Sequence, residues 1–277
     1  MSILAQHIKQ TDRHDQVFQD GVYLELISFT HPLSHYPPSS PEHKKRESNP
    51  WASKLPGWID YAFLGNSSTS ISEIINKRAI EDGSGVEYLP EVKGGRERPD
   101  GKVLEWMISG PGPGLERGTV PFFCGDVTPR EWRVSYLQAS SAMTCVITDR
   151  LVLQVPFDLP SNIHHPSTAS GIEHVRVLVD EKDITTLSNK LMSIVDSQPI
   201  IKTETETAWV LDTPTTSSSQ SGYRGPQLIV STPKQDDERE ALKDRGPGVY
   251  EVALRVDKCR GGGSVNTPYG KIVWHPE

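Results

Sequence analysis

The chain has 277 residues, a net charge of −7 at pH 7 and a pI of about 5.7. This acidic balance argues against nucleic acid as the main partner, because binding to phosphates needs a basic surface. No apolar run approaches the roughly 20 residues of a membrane-spanning helix, the N-terminus lacks the apolar core of a secretory signal, and three widely spaced cysteines do not suggest a disulfide framework. We therefore expect a cytoplasmic protein of one large or two modest domains with no membrane partner.

The first predicted strand lies in the stretch DGVYLELISF, residues 20–29, and holds one acid, Glu25, in an otherwise apolar run. A carboxylate in such a strand has two interpretations. It lies on a half-exposed face, where water or a basic neighbour satisfies it, or it acts as a ligand or base inside a cavity, since burying an isolated carboxylate is costly.

Residues 31–56 are rich in proline and serine and predict a loop or linker. Three histidines lie in this segment, His31, His35 and His43. Their irregular spacing indicates solvated side chains rather than metal ligands.

The element order β-α-β-β-β is predicted twice along the chain. Residues 57–126 begin with an alternating strand, continue with a helix that Ser70 and Glu73 start with capping-box spacing, and end with three strands. Residues 171–256 repeat this order, with three strands predicted within 207–212, 226–231 and 248–256 after the helix. A repeat of this kind predicts sheets that must pair with another copy to complete a core.

Several stretches together resemble the glyoxalase-like domain proteins of the vicinal oxygen chelate (glyoxalase/bleomycin resistance/dioxygenase) superfamily. They are DGVYLELISF, GWIDYAFL, GGRERPDG, LEWMIS, VPFFCGDVTPREWRV, GIEHVRVLV and GPGVYEVALRV. The resemblance covers residues 16–136 well and 164–275 less well. It implies an α+β fold in which repeated βαβββ modules form cupped mixed β-sheets.

The resemblance also implies a domain organisation. Residues 1–136 would form a glyoxalase-like domain with an N-terminally incomplete first module and a complete second one at 57–126. Residues 137–163 would be an insertion or linker, and residues 164–277 an additional βαβββ module. The incomplete module would leave the stretch YLELISF at an open sheet edge, through which two copies of the chain would associate.

Members of the superfamily often hold a divalent metal in the cup, and here the resemblance implies Zn, Ni, Mn or Fe. Glu25 matches a ligand or catalytic position on the last strand of the first module. Asp60 matches a ligand position on the first strand of the second module, although an Asp at a strand edge also bonds readily to a loop N–H. His174 and Glu251 form a less favoured second metal site, with a solvated polar face as the alternative.

Four arginines, Arg96, Arg98, Arg130 and Arg133, lie in the two motifs GGRERPDG and TPREWRV. Guanidinium groups suit carboxylates and phosphates, so these side chains would bind an anionic substrate, or alternatively tie loops to the rim through Asp100 or Asp126. The implied function is a small-molecule isomerase, epimerase or lyase that acts on an anionic or carbonyl substrate. The alternatives are a metal-free small-molecule binding protein and a catalytically degenerate homologue, because fold alone does not fix chemistry.

Overall fold

The computed structural model describes residues 11–18, 21–65, 68–98, 101–129, 132, 167–213 and 225–277, with the backbone alone for 11–17. Mixed β-sheets and a few helices make up these residues, which confirms the α+β class. Within the described ranges no helix is long and apolar enough to cross a membrane.

The N-terminal strands β1 (Thr11–Val17) and β2 (Tyr23–Phe29) pair antiparallel. The sequence QVFQDGVYLELISF predicted two strands, but β1 begins earlier than expected, in the polar stretch TDRHDQ, which carries no apolar alternation. The chain reverses at Gly21, whose φ of 75° favours glycine. Strand β1 therefore covers one edge of β2, the strand that was expected to lie at an open sheet edge. Association of two chains through β2 stays a prediction.

A short helix, α1 (Pro41–Glu47), interrupts the segment that was predicted to be a loop. The side chain of Ser40 accepts a hydrogen bond from the amide of His43, and Pro41 occupies the first helical turn, where its missing N–H costs nothing. Compositional bias toward proline and serine therefore concealed a well-formed helix start.

The module predicted at residues 57–126 has the expected order of one strand, a helix and three strands. Its elements are β3 (Ala62–Phe63), α2 (Ile71–Asp82), β4 (Val92–Glu97), β5 (Val103–Ser109) and β6 (Phe122–Asp126). The sheet order is β3-β6-β5-β4, with β3 parallel to β6 and the other pairs antiparallel. A strand was expected around residues 86–92, but β4 begins only at Val92. Within the expected range, Tyr88 makes an isolated bridge to Pro111.

The second half of the chain forms a seven-stranded sheet, β12-β13-β11-β7-β10-β9-β8. Its elements are β7 (Gly171–Leu178), α3 (Ile184–Val195), β8 (Ile201–Lys202), β9 (Glu206–Val210), β10 (Gln227–Ser231), α4 (Asp236–Arg245), β11 (Gly248–Val256), β12 (Gly263–Thr267) and β13 (Gly270–Pro276). The pairing of the 57–126 module is repeated here by strands β7, β10, β9 and β8, with β7 parallel to β10.

One strand of this half lies elsewhere than predicted. We expected residues 248–256 to be the last strand of the βαβββ module at 171–256. In the structure β10 is that last strand, and the short strand β8, which was not predicted, is one of the two before it. Strand β11 instead pairs antiparallel with the other edge of β7. Two further strands, β12 and β13, extend the sheet beyond β11 where the sequence indicated only a flexible turn.

The two module helices pack against each other and join both sheets in one core. Arg78 on α2 donates to the carbonyl oxygen of Ser193 on α3 at 2.7 Å and pairs with Asp196 at 2.8 Å. Core residues of both sheets, such as Phe123 and Trp209, belong to the same buried cluster as the helices. Each sheet thus has a face packed on helices and an opposite face, which we call the far face.

Candidate functional site

Glu25 lies on the far face of β2. Leu24 points into the helix-packed core, whereas Tyr23 packs against Ala62 and Phe122 on the other side. Since side chains alternate along a strand, Glu25 shares the side of Tyr23. The side chain is buried, with 9% of its surface exposed. A carboxylate is therefore enclosed on the face where the resemblance placed one, while its role stays a prediction.

An apolar floor continues from this point across the first sheet. Leu104, Trp106, Ile108 and Cys124 form a buried cluster, against which Phe122 and Trp132 pack. Phe122 also contacts the Tyr23 group. A buried apolar cluster on the far face of the first sheet thus lies next to the strand of Glu25.

Arg96 lies on the far face of β4, and Arg98 follows directly after the end of that strand. Arg96 is paired with Leu104 of the apolar floor, and residues directly opposite in an antiparallel pair share a face. Arg98 donates from Nη1 to the carbonyl oxygen of Trp132 at 2.7 Å. Strand β4 lies three strands from β3, which is about 14 Å in a sheet. The other two predicted arginines, Arg130 and Arg133, lie outside the described residues.

Asp60 precedes β3 and is almost fully buried. Its Oδ2 accepts from Arg117 Nη1 at 2.8 Å and from the Trp51 indole N–H at 2.9 Å, and its Oδ1 accepts from the Tyr61 amide at 3.0 Å. Burial raises the pKa of Asp60, and these partners, Arg117 foremost, counter part of that rise. Both oxygens are engaged within the protein, which favours the structural alternative over the predicted metal ligand.

His174 and Glu251 are brought together on the far face of the second sheet. The distance from His174 Nε2 to Glu251 Oε1 is 2.7 Å. A register shift between Val249 and Glu251 leaves Tyr250 as the extra residue of a β-bulge. A one-residue shift changes the face on which a side chain lies. When the sequences of β2 and β11 are aligned, Glu251 is one residue away from the position of Glu25, and the bulge explains how Glu251 still faces His174.

Three cationic or protonatable groups surround the Glu251 carboxylate. Besides His174, Lys271 Nζ lies 2.9 Å and Arg176 Nη1 lies 3.8 Å from Oε2. Burial alone would raise the pKa of Glu251, but the hydrogen bonds from His174 and Lys271 outweigh it and lower that pKa to about 2. Glu251 is therefore ionised at neutral pH and already has cationic partners.

The sequence profile of the family described as "Glyoxalase-like domain" matches residues 6–190, more than half of the chain. The chain belongs to the glyoxalase-like domain family. A search of the curated proteins found no match. The family assignment agrees with the superfamily that the motifs indicated, and the matched range includes the far face of the first sheet but ends before Glu251 and Lys271.

Among solved structures, this glyoxalase-like domain protein is similar to a hypothetical protein from Staphylococcus aureus. The two share 10% identity and a TM-score of 0.57 over 97% of this chain and 86% of the other, which shows a common fold. A mutant of 4-hydroxymandelate synthase from Streptomyces coelicolor aligns at 12% identity over 93% and 66% of the two chains, with a TM-score of 0.43. Methylmalonyl-CoA epimerase from Mycobacterium tuberculosis aligns at 15% identity over 41% of this chain and 93% of the other, with a TM-score of 0.25.

The divalent metal that the superfamily implies would need several donor side chains in one place. In the part of the chain that the structure describes, no group of three or more His, Cys, Asp and Glu side chains could hold a metal ion. At the second site the Lys271 ammonium group already lies 2.9 Å from Glu251 Oε2, where a cation bound to that oxygen would lie. The His174–Glu251 pair therefore fits a metal poorly, because a bound cation would be repelled by Lys271 and Arg176.

Replacing Glu251 by glutamine should lower the stability of this glyoxalase-like domain protein in a pH-dependent way. The pKa of Glu251 falls from its ordinary 4.5 to about 2 on folding, so the ionised group stabilises the fold above about pH 4.5 and loses this effect as pH falls toward 2. The difference from wild type, at most about 3 kcal/mol, should therefore shrink between pH 5 and pH 3 in urea unfolding curves. A difference that does not change with pH would contradict the charged role of Glu251.

Three residues in these sites were missed by sequence reasoning. Lys271 lies on β13, where the three consecutive β-branched or aromatic residues Ile272, Val273 and Trp274 could have predicted a strand. Arg117 and Trp51 contact Asp60 from loops, 57 and 9 residues away along the chain. No local pattern indicates such loop partners, since only the fold brings them to the strand.

Proposed function

We propose that this protein is a small-molecule enzyme that isomerises, epimerises or cleaves an anionic carbonyl compound on the far face of its first sheet. The observation that carries the proposal is the burial of Glu25 on that face, beside Tyr23 and the apolar floor. A carboxylate held beside aromatic side chains is positioned to act as a general base on a ligand bound at this face.

The chemical step that suits this arrangement is proton transfer next to a carbonyl group. Glu25 would take the proton from the carbon beside the carbonyl, and the electron pair of the broken C–H bond would move onto the carbonyl oxygen as an enolate. Return of the proton to the other face of the carbon gives an epimer, and its return to a neighbouring atom gives an isomer. Arg96 and Arg98 would bind the anionic end of the substrate.

The separation of these groups limits the shape of the substrate. Glu25 lies on β2, whose Tyr23 packs against Ala62 of β3 and Phe122 of β6, whereas the arginines lie at the opposite edge of the four-stranded sheet, on and just after β4. A ligand that reaches both must span the apolar floor formed by residues such as Trp106 and Phe122. The proposed substrate therefore has a carbonyl group at one end, an apolar or aromatic body, and an anionic group.

The proposal is tested by hydrogen–deuterium exchange of an aromatic ketone that carries a carboxylate at its other end. Wild-type protein and 4-(3-oxobutyl)benzoate are incubated in D₂O, and proton NMR follows loss of the signals from the carbons next to the carbonyl. We expect exchange above the buffer rate, and at least a tenfold slower rate with Glu25→Gln, because the amide cannot accept the proton.

The matched control is Glu47→Gln, which changes an exposed glutamate at the end of α1. This variant should exchange the probe like wild type. Equal rates with wild type and Glu25→Gln would remove Glu25 from the chemistry. Repeating the assay with EDTA, and with added Zn²⁺, Ni²⁺, Mn²⁺ or Fe²⁺, shows whether Glu25 also acts as a metal ligand.

A second candidate function is metal-free binding of a small molecule without turnover. It is favoured by the lack of a three-ligand cluster among the described residues and by the engagement of Asp60 with Arg117. Elemental analysis and isothermal calorimetry separate the two candidates. A binding protein should bind 4-(3-oxobutyl)benzoate equally well as wild type and as Glu25→Gln, show no exchange above buffer, and contain less than one metal per ten chains.

A further inference from the structure

Arg117 is a cation whose hydrogen-bonding capacity the fold uses only in part. Its Nη1 donates to Asp60 Oδ2 at 2.8 Å, which is the one hydrogen bond of its side chain within the described residues. The Nε and Nη2 atoms are not enclosed, because neither is a buried nitrogen without a partner, and the side chain is 20% exposed. A guanidinium group has five N–H donors, so the remaining donors of Arg117 are accessible to a ligand.

Asp60, which holds Arg117, lies on the far face of the first sheet. The Phe122 amide donates to the Tyr61 carbonyl oxygen at 3.1 Å, so the pairing of β3 with β6 extends back to Tyr61. Tyr61 belongs to the helix-packed core, whereas Ala62 packs on the far side. Because side chains alternate along a strand, Asp60 lies on the same side as Ala62.

The contact between β2 and β3 relates Arg117 to the strand of Glu25. Tyr23 packs on Ala62. Glu25 and Asp60 each lie two residues, which is about 7 Å, from that contact along their own chain segments and on the same face. Groups from both segments can therefore contact one ligand that lies over Tyr23.

Two aromatic rings flank the guanidinium group. Arg117 Cζ lies 5.8 Å from the centroid of the Trp51 ring and 5.6 Å from that of the Phe122 ring, and the centroids of the two rings are 6.3 Å apart. Both aromatic residues are half-buried, and Phe122 also packs beside Tyr23. Arg117 thus lies at the edge of an aromatic surface that continues to the strand of Glu25.

The loop that carries Arg117 is held by two hydrogen bonds. The Lys54 ammonium group donates to the Arg117 carbonyl oxygen at 2.8 Å, and the Tyr61 hydroxyl donates to the Thr119 carbonyl oxygen at 3.0 Å. Gly110 leaves room for the guanidinium group, since a Cβ atom there would lie 2.7 Å from Nη2. The free donors are therefore positioned before a ligand binds, which lowers the cost of binding.

We propose that Arg117, held by Asp60, binds the carbonyl oxygen of the substrate and takes the place of the metal that the superfamily implies. The inference rests on the proposed function and names the group that stabilises its enolate. When Glu25 takes the proton from carbon, the electron pair moves onto the carbonyl oxygen, and the guanidinium group donates hydrogen bonds to that oxygen without giving up a proton. An uncharged oxygen suits this position better than an anion, because Asp60 already neutralises the charge of Arg117.

A pair of matched ligands tests this hydrogen bond apart from catalysis. The first, 4-(3-oxobutyl)benzoate, has a carbonyl group, and the second, 4-butylbenzoate, has a similar shape without it. Isothermal calorimetry on the wild-type protein should give at least a tenfold lower Kd for the ketone, because only its oxygen accepts from Arg117. EDTA should leave this preference unchanged. Equal affinities, or a preference that EDTA abolishes, would overturn the proposal.

The double variant Asp60→Asn/Arg117→Met removes both charges of the pair and should bind the two ligands with equal Kd. Exchange of the ketone at saturation should also slow at least tenfold, because the enolate loses its donor. The matched control is Asp236→Asn/Arg239→Met, which removes an exposed ion pair on α4 and should keep the preference of wild type. An Asp60→Asn/Arg117→Met protein that still prefers the ketone tenfold would contradict the role of Arg117.

A second variant carries the test if the double variant does not fold, as circular dichroism would show. Gly110→Ala retains both charges but brings a methyl group against Arg117 Nη2, so the guanidinium group has to shift. The preference for the ketone should then fall at least threefold, because a misaligned hydrogen bond is weaker. An unchanged preference in Gly110→Ala would count against the proposal.

Failure of this inference is distinguishable from failure of the proposed function. Exchange that Glu25→Gln abolishes, combined with equal affinities of wild type for the two ligands, would retain Glu25 as the base and remove Arg117 from the site. A preference for the ketone that disappears with Arg117, combined with exchange that Glu25→Gln leaves unchanged, would retain Arg117 as the carbonyl-binding group and remove Glu25 from the chemistry.

Discussion

Replacing Asp60 by alanine is expected to lower the free energy of unfolding by about 3–5 kcal/mol, because it leaves one member of a buried ion pair without its partner. Arg117 Nη1 lies 2.8 Å from Asp60 Oδ2, and the Arg117 side chain is only 20% exposed. The same substitution removes the acceptor for the Trp51 indole and for the Tyr61 amide. Urea unfolding monitored by circular dichroism measures the loss.

Two variants separate the charge of Asp60 from its hydrogen bonds. Asp60→Asn retains an acceptor for one or two donors and should lose less stability than Asp60→Ala. Adding Arg117→Met to Asp60→Ala removes the unpaired cation and should recover part of the loss. If Asp60→Ala unfolds like wild type, and wild type gains stability on addition of Zn²⁺ or Mn²⁺, Asp60 acts as a metal ligand rather than as a structural anchor.

Replacing Trp209 by alanine is expected to lower the free energy of unfolding by about 3–5 kcal/mol, as is usual for deletion of a buried aromatic side chain. Trp209 lies on β9, is fully buried, and belongs to the core that joins both sheets through α2 and α3. The substitution would leave a large cavity between α3 and the second sheet. Thermal and urea unfolding should both report a single, earlier transition.

Trp209→Phe is the control for the volume of the side chain. The indole N–H donates to the Ser197 carbonyl oxygen at 3.2 Å, and phenylalanine removes this hydrogen bond while it retains most of the ring. We expect a loss of about 1 kcal/mol from the hydrogen bond, with a smaller cavity than in the alanine variant. A loss below 1 kcal/mol for Trp209→Ala would mean that the second sheet does not share the common core.

The local patterns of the sequence predicted the helices of the two modules and their order among the strands. Ser70 does start α2, and its side chain accepts from the Glu73 amide at 3.1 Å. In α3 the predicted apolar positions Ile184, Leu187 and Leu191 are all buried. Capping and helical periodicity depend on residues within a few positions of each other, so they can be read from the chain directly.

The partners of the strands could not be predicted in the same way. Strand β11 has the alternating pattern of a sheet strand, which is equally compatible with the end of a module and with its actual place beside β7. The bulge at Tyr250 decides which face Glu251 occupies, and the Gly-Pro-Gly stretch just before it, residues 246–248, indicates an ordinary turn equally well. Pairing and register depend on contacts between distant segments, which propensity does not encode.

The sequence by itself determined the α+β class, the repeated βαβββ order, the family, and the presence of an acid within the apolar strand β2. Only the tertiary structure decided what surrounds each candidate acid. It enclosed Glu25 on the far face of the first sheet, engaged Asp60 with Arg117, and placed Lys271 against Glu251. The physical reason is that the chemistry of a carboxylate depends on its desolvation and on the charges within a few ångströms of it, and in this protein those charges come from residues far away along the chain.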